Sequence, residues 1–365
     1  MAGFSYNALP GRIVFGAGAS RTRLADELDG LGLRRALLLA TAQEADLARE
    51  LAAPLGTRVA ATWAQARPHV PAGTVVEACT TAAAADVDGV LSIGGGSTTG
   101  LAKAVALRTG LPVVAVPTTY AGSEVTPVWG ITESGRKTTG RDLRVLPRVV
   151  VYDPELTTTL PVGLTVSSAG NALAHCVEAF YAAGANPVTD LAAAEGIRAV
   201  REGLPAVVAA PTDVDARARL LYAAYLAGAA FAVAGAGLHH RICHVLGGAF
   251  DLPHAEMHTV LLPHVAAFNE QVAGTRLDRA ATALDAPTVS SGLHALLEGV
   301  GAPRSLRALG LAPGDIPTAV ALVMDKDLRD NPRPVSAGDV ESILLAALDG
   351  ETVPAGASAM TGGSW

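Results

Sequence analysis

Short apolar runs punctuate the first 155 residues. Arg12-Ile13-Val14-Phe15-Gly16 reads as a strand that closes on a glycine turn. Ala36-Leu37-Leu38-Leu39-Ala40-Thr41, Gly89-Val90-Leu91-Ser92-Ile93 and Pro112-Val113-Val114-Ala115-Val116 are near-continuous rather than alternating. That is the pattern of strands covered on both faces, as in a parallel sheet packed between helices. Thr99 to Thr109, between the last two runs, predicts a crossover helix, and Val149 to Tyr152 predicts a final strand ended by Asp153-Pro154. Strand and helix alternating in this way predict a mostly parallel α/β domain over residues 1–155.

Beyond about Leu156 the β-branched runs give way to long Ala- and Leu-rich segments with helical spacing, and Pro161, Pro187, Pro205, Pro211 and Pro263 read as breaks. A second, all-α domain is expected over residues 156–365. Leu220 to Leu238 carries no charge over a length that could span a bilayer. It is mostly Ala and Gly and runs into His239-His240-Arg241, so it reads as a buried core helix rather than a membrane span. The Gly-, Ala- and Ser-rich tail from Val353 to Trp365 reads as frayed.

The composition supports this picture. Half of the 365 residues are hydrophobic and 17% are charged, which suits two packed cores and excludes disorder. The net charge of −7, with no basic stripe, argues against a nucleic-acid partner. Met1-Ala2-Gly3-Phe4-Ser5-Tyr6 has neither the basic start nor the apolar core of a secretory signal. Three scattered cysteines, Cys79, Cys176 and Cys243, suit a reduced cytoplasm better than a disulfide framework.

Two loops carry candidate cofactor chemistry. Gly94-Gly95-Gly96-Ser97-Thr98-Thr99-Gly100 follows a predicted strand and opens a predicted helix, where bare backbone and unpaired N–H groups can receive a phosphate. It is not a Walker loop, because Leu101 stands where the lysine belongs. Pro117-Thr118-Thr119-Tyr120-Ala121-Gly122-Ser123-Glu124 follows the next strand. Ligands of open α/β sheets bind at the carboxyl ends of strands, so the two loops together suit a dinucleotide. The cofactor-binding candidates are Gly94, Gly95, Gly96, Ser97, Thr98, Thr118, Thr119, Tyr120, Ser123 and, at the tip of the second strand, Thr41. No acid follows that strand immediately in Thr41-Ala42-Gln43, so both NADH and NADPH are expected to be accepted.

The remaining chemistry is basic. Arg136, Lys137, Arg141, Arg144 and Arg148 fall close together, and Arg333 lies in the rigid Asn331-Pro332-Arg333-Pro334 loop. Each reads either as solvated surface or as a clamp for an anion. Seven of nine histidines lie between His175 and His264. Asn171 and His175 are four apart, as are His240 and His244, so each pair shares a face if its segment is helical. Such a cluster points to a metal site or to acid/base work.

The two loops, the Asn171/His175 pair, Leu238-His239-His240-Arg241-Ile242-Cys243-His244 and Phe250-Asp251-Leu252-Pro253-His254-Ala255-Glu256 together resemble the iron-containing alcohol dehydrogenase superfamily, and within it the maleylacetate reductases. The resemblance implies a Rossmann-like domain followed by a helical catalytic domain, the fold shared with dehydroquinate synthase. It also implies a cleft active site, NADH or NADPH as cofactor, and a homodimer. In metal-dependent relatives an aspartate and three histidines hold Fe²⁺ or Zn²⁺. Those positions fall on Asn171, His175, His240 and His254, with His244 as a nearby catalytic histidine.

Asparagine at the aspartate position removes a negative charge beside any metal, so a required metal is not expected, although three histidines alone can hold zinc. The expected substrate is a conjugated keto-dicarboxylate, reduced to 3-oxoadipate in aromatic catabolism. His244, with His240 and His175 next in order, would stabilise the enolate and supply a proton. Lys137, Arg141, Arg144, His239 and Arg333 would hold the carboxylates. The alternatives are a metal-dependent aldehyde reductase and a relative that binds a ligand without redox turnover. The charged approach Asp325-Lys326-Asp327-Leu328-Arg329-Asp330 keeps the second of these open, because it departs from the maleylacetate reductase pattern. A sugar-phosphate cyclase of the same fold would keep acidic ligands, against which Asn171 counts.

Overall fold

The apolar runs form the strands they predict. In the computed structural model, which describes residues 3–9, 11–134 and 136–351, β1 (Arg12–Phe15), β2 (Ala36–Leu39), β3 (Val59–Trp63), β4 (Gly89–Gly94), β5 (Val113–Pro117) and β8 (Val149–Tyr152) make one parallel sheet. The strand order is β1-β8-β5-β4-β2-β3. Every residue of β2, β4, β5 and β8 is buried, which is why their sequences are apolar throughout. Helices α1 (Ala19–Thr22), α2 (Leu24–Gly30), α3 (Ala45–Ala52), α4 (Ala72–Ala84) and α5 (Gly96–Thr109) connect the strands.

Two features of this half depart from the sequence reading. Strand β3 went unpredicted because Val59–Trp63 is only half-buried and lies at the sheet edge. The first part of the basic run expected as loop or clamp, Arg136 to Arg141, is instead one arm of an antiparallel hairpin, β6 (Val128–Glu133) with β7 (Arg136–Arg141), while Arg144 and Arg148 follow it.

The second half is helical: α6 (Val162–Ala179), α7 (Pro187–Ala209), α8 (Val214–Ala234), α9 (Leu238–Phe250), α10 (His254–Leu284), α11 (Val289–Gly299), α12 (Ile316–Met324) and α13 (Ala337–Asp349). Pro161 and Pro187 start helices, but Pro205 and Pro263 lie inside α7 and α10 and do not end them. Packing against neighbouring helices outweighs the single backbone bond each proline removes. The kink in α10 falls at Gly274, where φ is 20°.

The uncharged stretch from Leu220 becomes α8, largely buried among its neighbours, and the chain then bends by 101° into α9. Among the described residues no single helix is long and apolar enough to cross a membrane. The tail expected to fray lies outside the described residues.

Candidate active site

At the carboxyl edge of the sheet, β4 ends at Gly94 (φ 149°) and α5 begins two residues later. No side chain caps α5; Thr98 N and Thr99 N donate to the Gly95 carbonyl, which leaves the leading N–H groups of Gly96 and Ser97 for a ligand. The approach must stay free of side chains. A Cβ on Gly95 would meet Thr119 Cγ2 at 2.8 Å, and one on Gly94 would meet Thr98 Oγ1 at 2.5 Å and Glu44 Oε2 at 2.6 Å. A bare, uncapped helix start of 14 residues beside two hydroxyl-bearing strand ends fits a nicotinamide dinucleotide's pyrophosphate. Across this mouth lies Glu44, which accepts hydrogen bonds from Thr118 Oγ1 (2.6 Å) and Thr41 Oγ1 (2.8 Å).

The helical domain docks onto the loop after β5. Asn171 Nδ2 donates to the Ala121 carbonyl (3.3 Å), and Tyr120 N donates to Ser168 Oγ (3.0 Å). On α6, Asn171, His175 and Glu178 follow at i, i+4 and i+7 and so share one face. Glu178 is fully buried and caps a different helix: it accepts from the backbone of Gly237, His239 and His240 at the start of α9. The same carboxylate meets His240 Nδ1 at 2.5 Å, which fixes the ring and leaves Nε2 without a protein partner. Burial opposes charge on both, holding His240 well below the usual imidazole range and raising Glu178.

A tight turn then brings the next histidines back. Asp251 ends α9 in the left-handed region, Pro253 opens α10, and His254 returns to lie with its ring 6.3 Å from that of His244. His258, one turn further on, packs between His240, His254 and His239. His175 stacks on His240 with ring centroids 5.0 Å apart. Burial lowers His175, His254 and His258 well below their ordinary values and His239 to about 3.

His244 differs from the others because its side chain opens onto the cleft while protein crowds it elsewhere. That crowding lowers its pKa, and the nearby Lys137 ammonium lowers it further. His244, His254, Lys137, His69, Thr132, Cys243, Gly247, Gly248 and one acid, Asp251, line a cavity of about 270 Å³ between the two domains. Lys137 reaches it by folding across Gly130, where a Cβ would sit 3.0 Å from Lys137 Cε.

Several predicted residues lie elsewhere. His239 is fully buried, paired with His258 (2.8 Å), and offers nothing to a substrate carboxylate. Arg144 is exposed and paired with Asp142, Arg141 is exposed at the end of β7, and neither lines the cavity. Arg333 is held on α10 by the Phe268 carbonyl, Gln271 and the face of Phe268. Tyr120 is buried in the core against Arg217 rather than in the cofactor cleft. Ser123 receives the fully buried Lys103 ammonium, which also binds Thr126 and the Val128 carbonyl.

At the positions matching the relatives' metal ligands, Asn171 Oδ1, His175 Nδ1 and His240 Nε2 have no protein partner. All three are neutral donors. Among the described residues, the three-donor cluster whose ligand atoms lie within 4.8 Å of one another is a different one: His239, Cys243 and His258.

Glu178, His258, Lys103 and His69 are not among the candidates the sequence offers, and Glu44 stands only as an acid slightly beyond the second strand. Glu178 and His258 had a signal, since each continues a helical face already marked by Asn171/His175 or by His254. His69 had none, because its place depends on a hairpin more than sixty residues away.

Comparison with known proteins agrees with this geometry. The iron-containing alcohol dehydrogenase family matches residues 10–154, and the C-terminal domain of the Fe-containing alcohol dehydrogenase family matches residues 165–348. Maleylacetate reductase 2 of Cupriavidus pinatubonensis is 50% identical, with 94% of this chain and 96% of that protein aligned. The crystal structure of maleylacetate reductase from Agrobacterium tumefaciens superposes with a TM-score of 0.93 at 44% identity, over 97% of this chain and all of that one. Sulfoacetaldehyde reductase from Bifidobacterium kashiwanohense, solved in complex with NAD⁺, matches with a TM-score of 0.88 at 25% identity, over 95% of this chain and 99% of that one. The chain belongs to the iron-containing alcohol dehydrogenase family of NAD(P)-dependent oxidoreductases, and within it stands among the maleylacetate reductases.

Proposed function

We propose that this enzyme reduces maleylacetate to 3-oxoadipate in the breakdown of aromatic compounds, using NADH or NADPH and no resident metal. The observation that carries this reading is the cavity itself: a lysine and three imidazoles around about 270 Å³, beside a glycine-lined dinucleotide mouth. Such a lining favours a small anion with more than one carboxylate over a neutral aldehyde. A bound reduced nicotinamide supplies the hydride. The Lys137 ammonium draws the dianion in. His244, protonated once the dianion is bound, stabilises the oxygen on which enolate charge develops and supplies the proton that ends on the carbon next to the ketone, leaving a neutral imidazole.

The family's name implies iron, and His175, His240 and His254 are imidazole donors that suit Fe²⁺ or Zn²⁺, but the set lacks the carboxylate that would balance the ion's charge. The amide of Asn171 replaces a carboxylate, and Glu178, the nearest buried acid, is already occupied by three backbone N–H groups and His240. Glu44 at the cofactor mouth favours a free ribose diol over a 2′-phosphate, so NADH is the preferred donor. A homodimer in a reducing cytoplasm is consistent with three unpaired thiols and with the edge strand β1, whose Phe15 is exposed.

The test is to purify the protein with excess chelator and follow NADH and NADPH consumption with maleylacetate. Full turnover without metal supports the reading. Turnover lost and then restored by Fe²⁺ or Zn²⁺ overturns the metal-free part, and no turnover under either condition overturns the substrate.

A further inference from the structure

His69 and Val70 are two consecutive non-glycine residues in the left-handed region, with φ of 61° and 50°. A β-branched residue rarely adopts that conformation, so the surrounding structure must impose it. Thr132 Oγ1 donates to the His69 carbonyl (2.7 Å), and Thr132 N donates to the Val70 carbonyl (3.0 Å). Val70 is pressed onto α5, where Gly100 makes room: a Cβ there would lie 2.8 Å from Val70 Cγ2. Thr132 is in turn the cross-strand partner of Lys137. One hairpin residue therefore ties the strained turn to the lysine, and both side chains line the same cavity as His244 and His254.

We propose that His69 is a substrate-binding residue whose ring N–H, together with the Lys137 ammonium, holds one carboxylate of a dianionic substrate on the N-terminal-domain wall of the cavity. The reacting carbonyl end then faces His244 and His254 of the helical domain. This rests on the dicarboxylate reading above and deepens it, by naming which wall distinguishes a dianion from a monoanion. A neutral imidazole suffices, since it carries one N–H donor. The strain fits the role, because a relaxed turn would not fix the ring relative to Lys137.

The test uses His69→Gly, which keeps the left-handed turn without a side chain, and His69→Asn, which keeps both the turn and an N–H donor. Each is compared with wild type on maleylacetate and on its monoester at the carboxylate remote from the ketone. Binding of adipate, an unreactive dicarboxylate, to cofactor-free protein is measured by calorimetry. His69→Gly is expected to raise KM for maleylacetate and Kd for adipate about tenfold or more, with kcat within about threefold. The monoester is expected to be barely affected, and His69→Asn to recover most of the loss. Unchanged KM and Kd in His69→Gly, or an equal loss on the monoester, overturns the proposal. If wild type does not turn over maleylacetate at all, the function reading fails while the adipate arm still decides the role of His69.

Discussion

An amide at position 171 gives the imidazole cluster no fixed negative charge, and Glu178 is too fully engaged to supply one. On the metal-free reading proposed above, burial keeps the clustered histidines neutral, and charge enters with the substrate. His244 illustrates this. Burial first and the Lys137 ammonium second lower its pKa to about 4, and a bound dianion raises it again. Binding of the dicarboxylate should therefore be accompanied by proton uptake at pH above about 4, where the free imidazole is neutral, and kcat/KM should fall as pH rises above that value. Calorimetry in buffers of different ionisation enthalpy measures the uptake. His244→Ala should lower kcat at least about a hundredfold. A loss under threefold, or binding without proton uptake, would remove His244 from the chemistry. At this scale the sequence was informative where spacing marks a helix face, as at Asn171 and His175. It was silent at His69 and misleading at His239, whose neighbour His240 points at Glu178 while His239 itself points into the core.

Elements meet the site through backbone rather than side chains at one decisive place. Gly228 of α8 lies against the loop after β5, where an added Cβ would sit 2.3 Å from the Gly122 carbonyl oxygen, and Gly122 itself has φ of 71°. Neither partner can move without shifting a helix or the loop that carries Thr118 and Thr119 toward the cofactor mouth. Gly228→Ala should therefore destabilise by about 1–3 kcal/mol, the usual cost of overpacking, and weaken NADH binding as well. Thermal unfolding and NADH fluorescence titration read the two effects. A variant with unchanged Tm and Kd would show that this contact does not position the loop. The same contact explains why Tyr120 and Ser123 leave the cofactor edge: docking of the helical domain draws Tyr120 to Arg217, while Lys103 takes Ser123.

Across the whole molecule, buried histidines set the acid limit of stability. Burial lowers His175, His240 and His258 well below the unfolded value of about 6.5, His239 to about 3 and His264 to about 4. The unfolded chain takes up these protons as pH falls through about 6.5, and the folded chain only at lower pH, near 3 for His239 and near 4 for His264. The histidine contribution is thus complete above about 6.5 and is lost below it, by up to about 1.4 kcal/mol per pH unit for each histidine. The raised carboxylates Glu124 and Glu178 act in the opposite sense but are outnumbered. Tm should fall by several degrees between pH 6.5 and 5, while the buried Lys103, whose pKa burial lowers to about 7, adds stability as pH rises above about 7. A constant Tm down to pH 5 would contradict this.

Local chemistry alone determined the parallel strands, the glycine loop at a helix start and the paired histidines, because each depends on residues close in sequence. Short apolar runs bounded by turn residues fit buried strands, bare glycines admit a phosphate, and a spacing of four selects one helix face. Only tertiary structure decided which of the basic residues reach the cavity, that Glu178 caps a helix on another segment, and that a hairpin holds His69 beside Lys137. Those outcomes depend on contacts between distant segments, and neither spacing nor composition encodes the direction in which a side chain meets a partner sixty residues away.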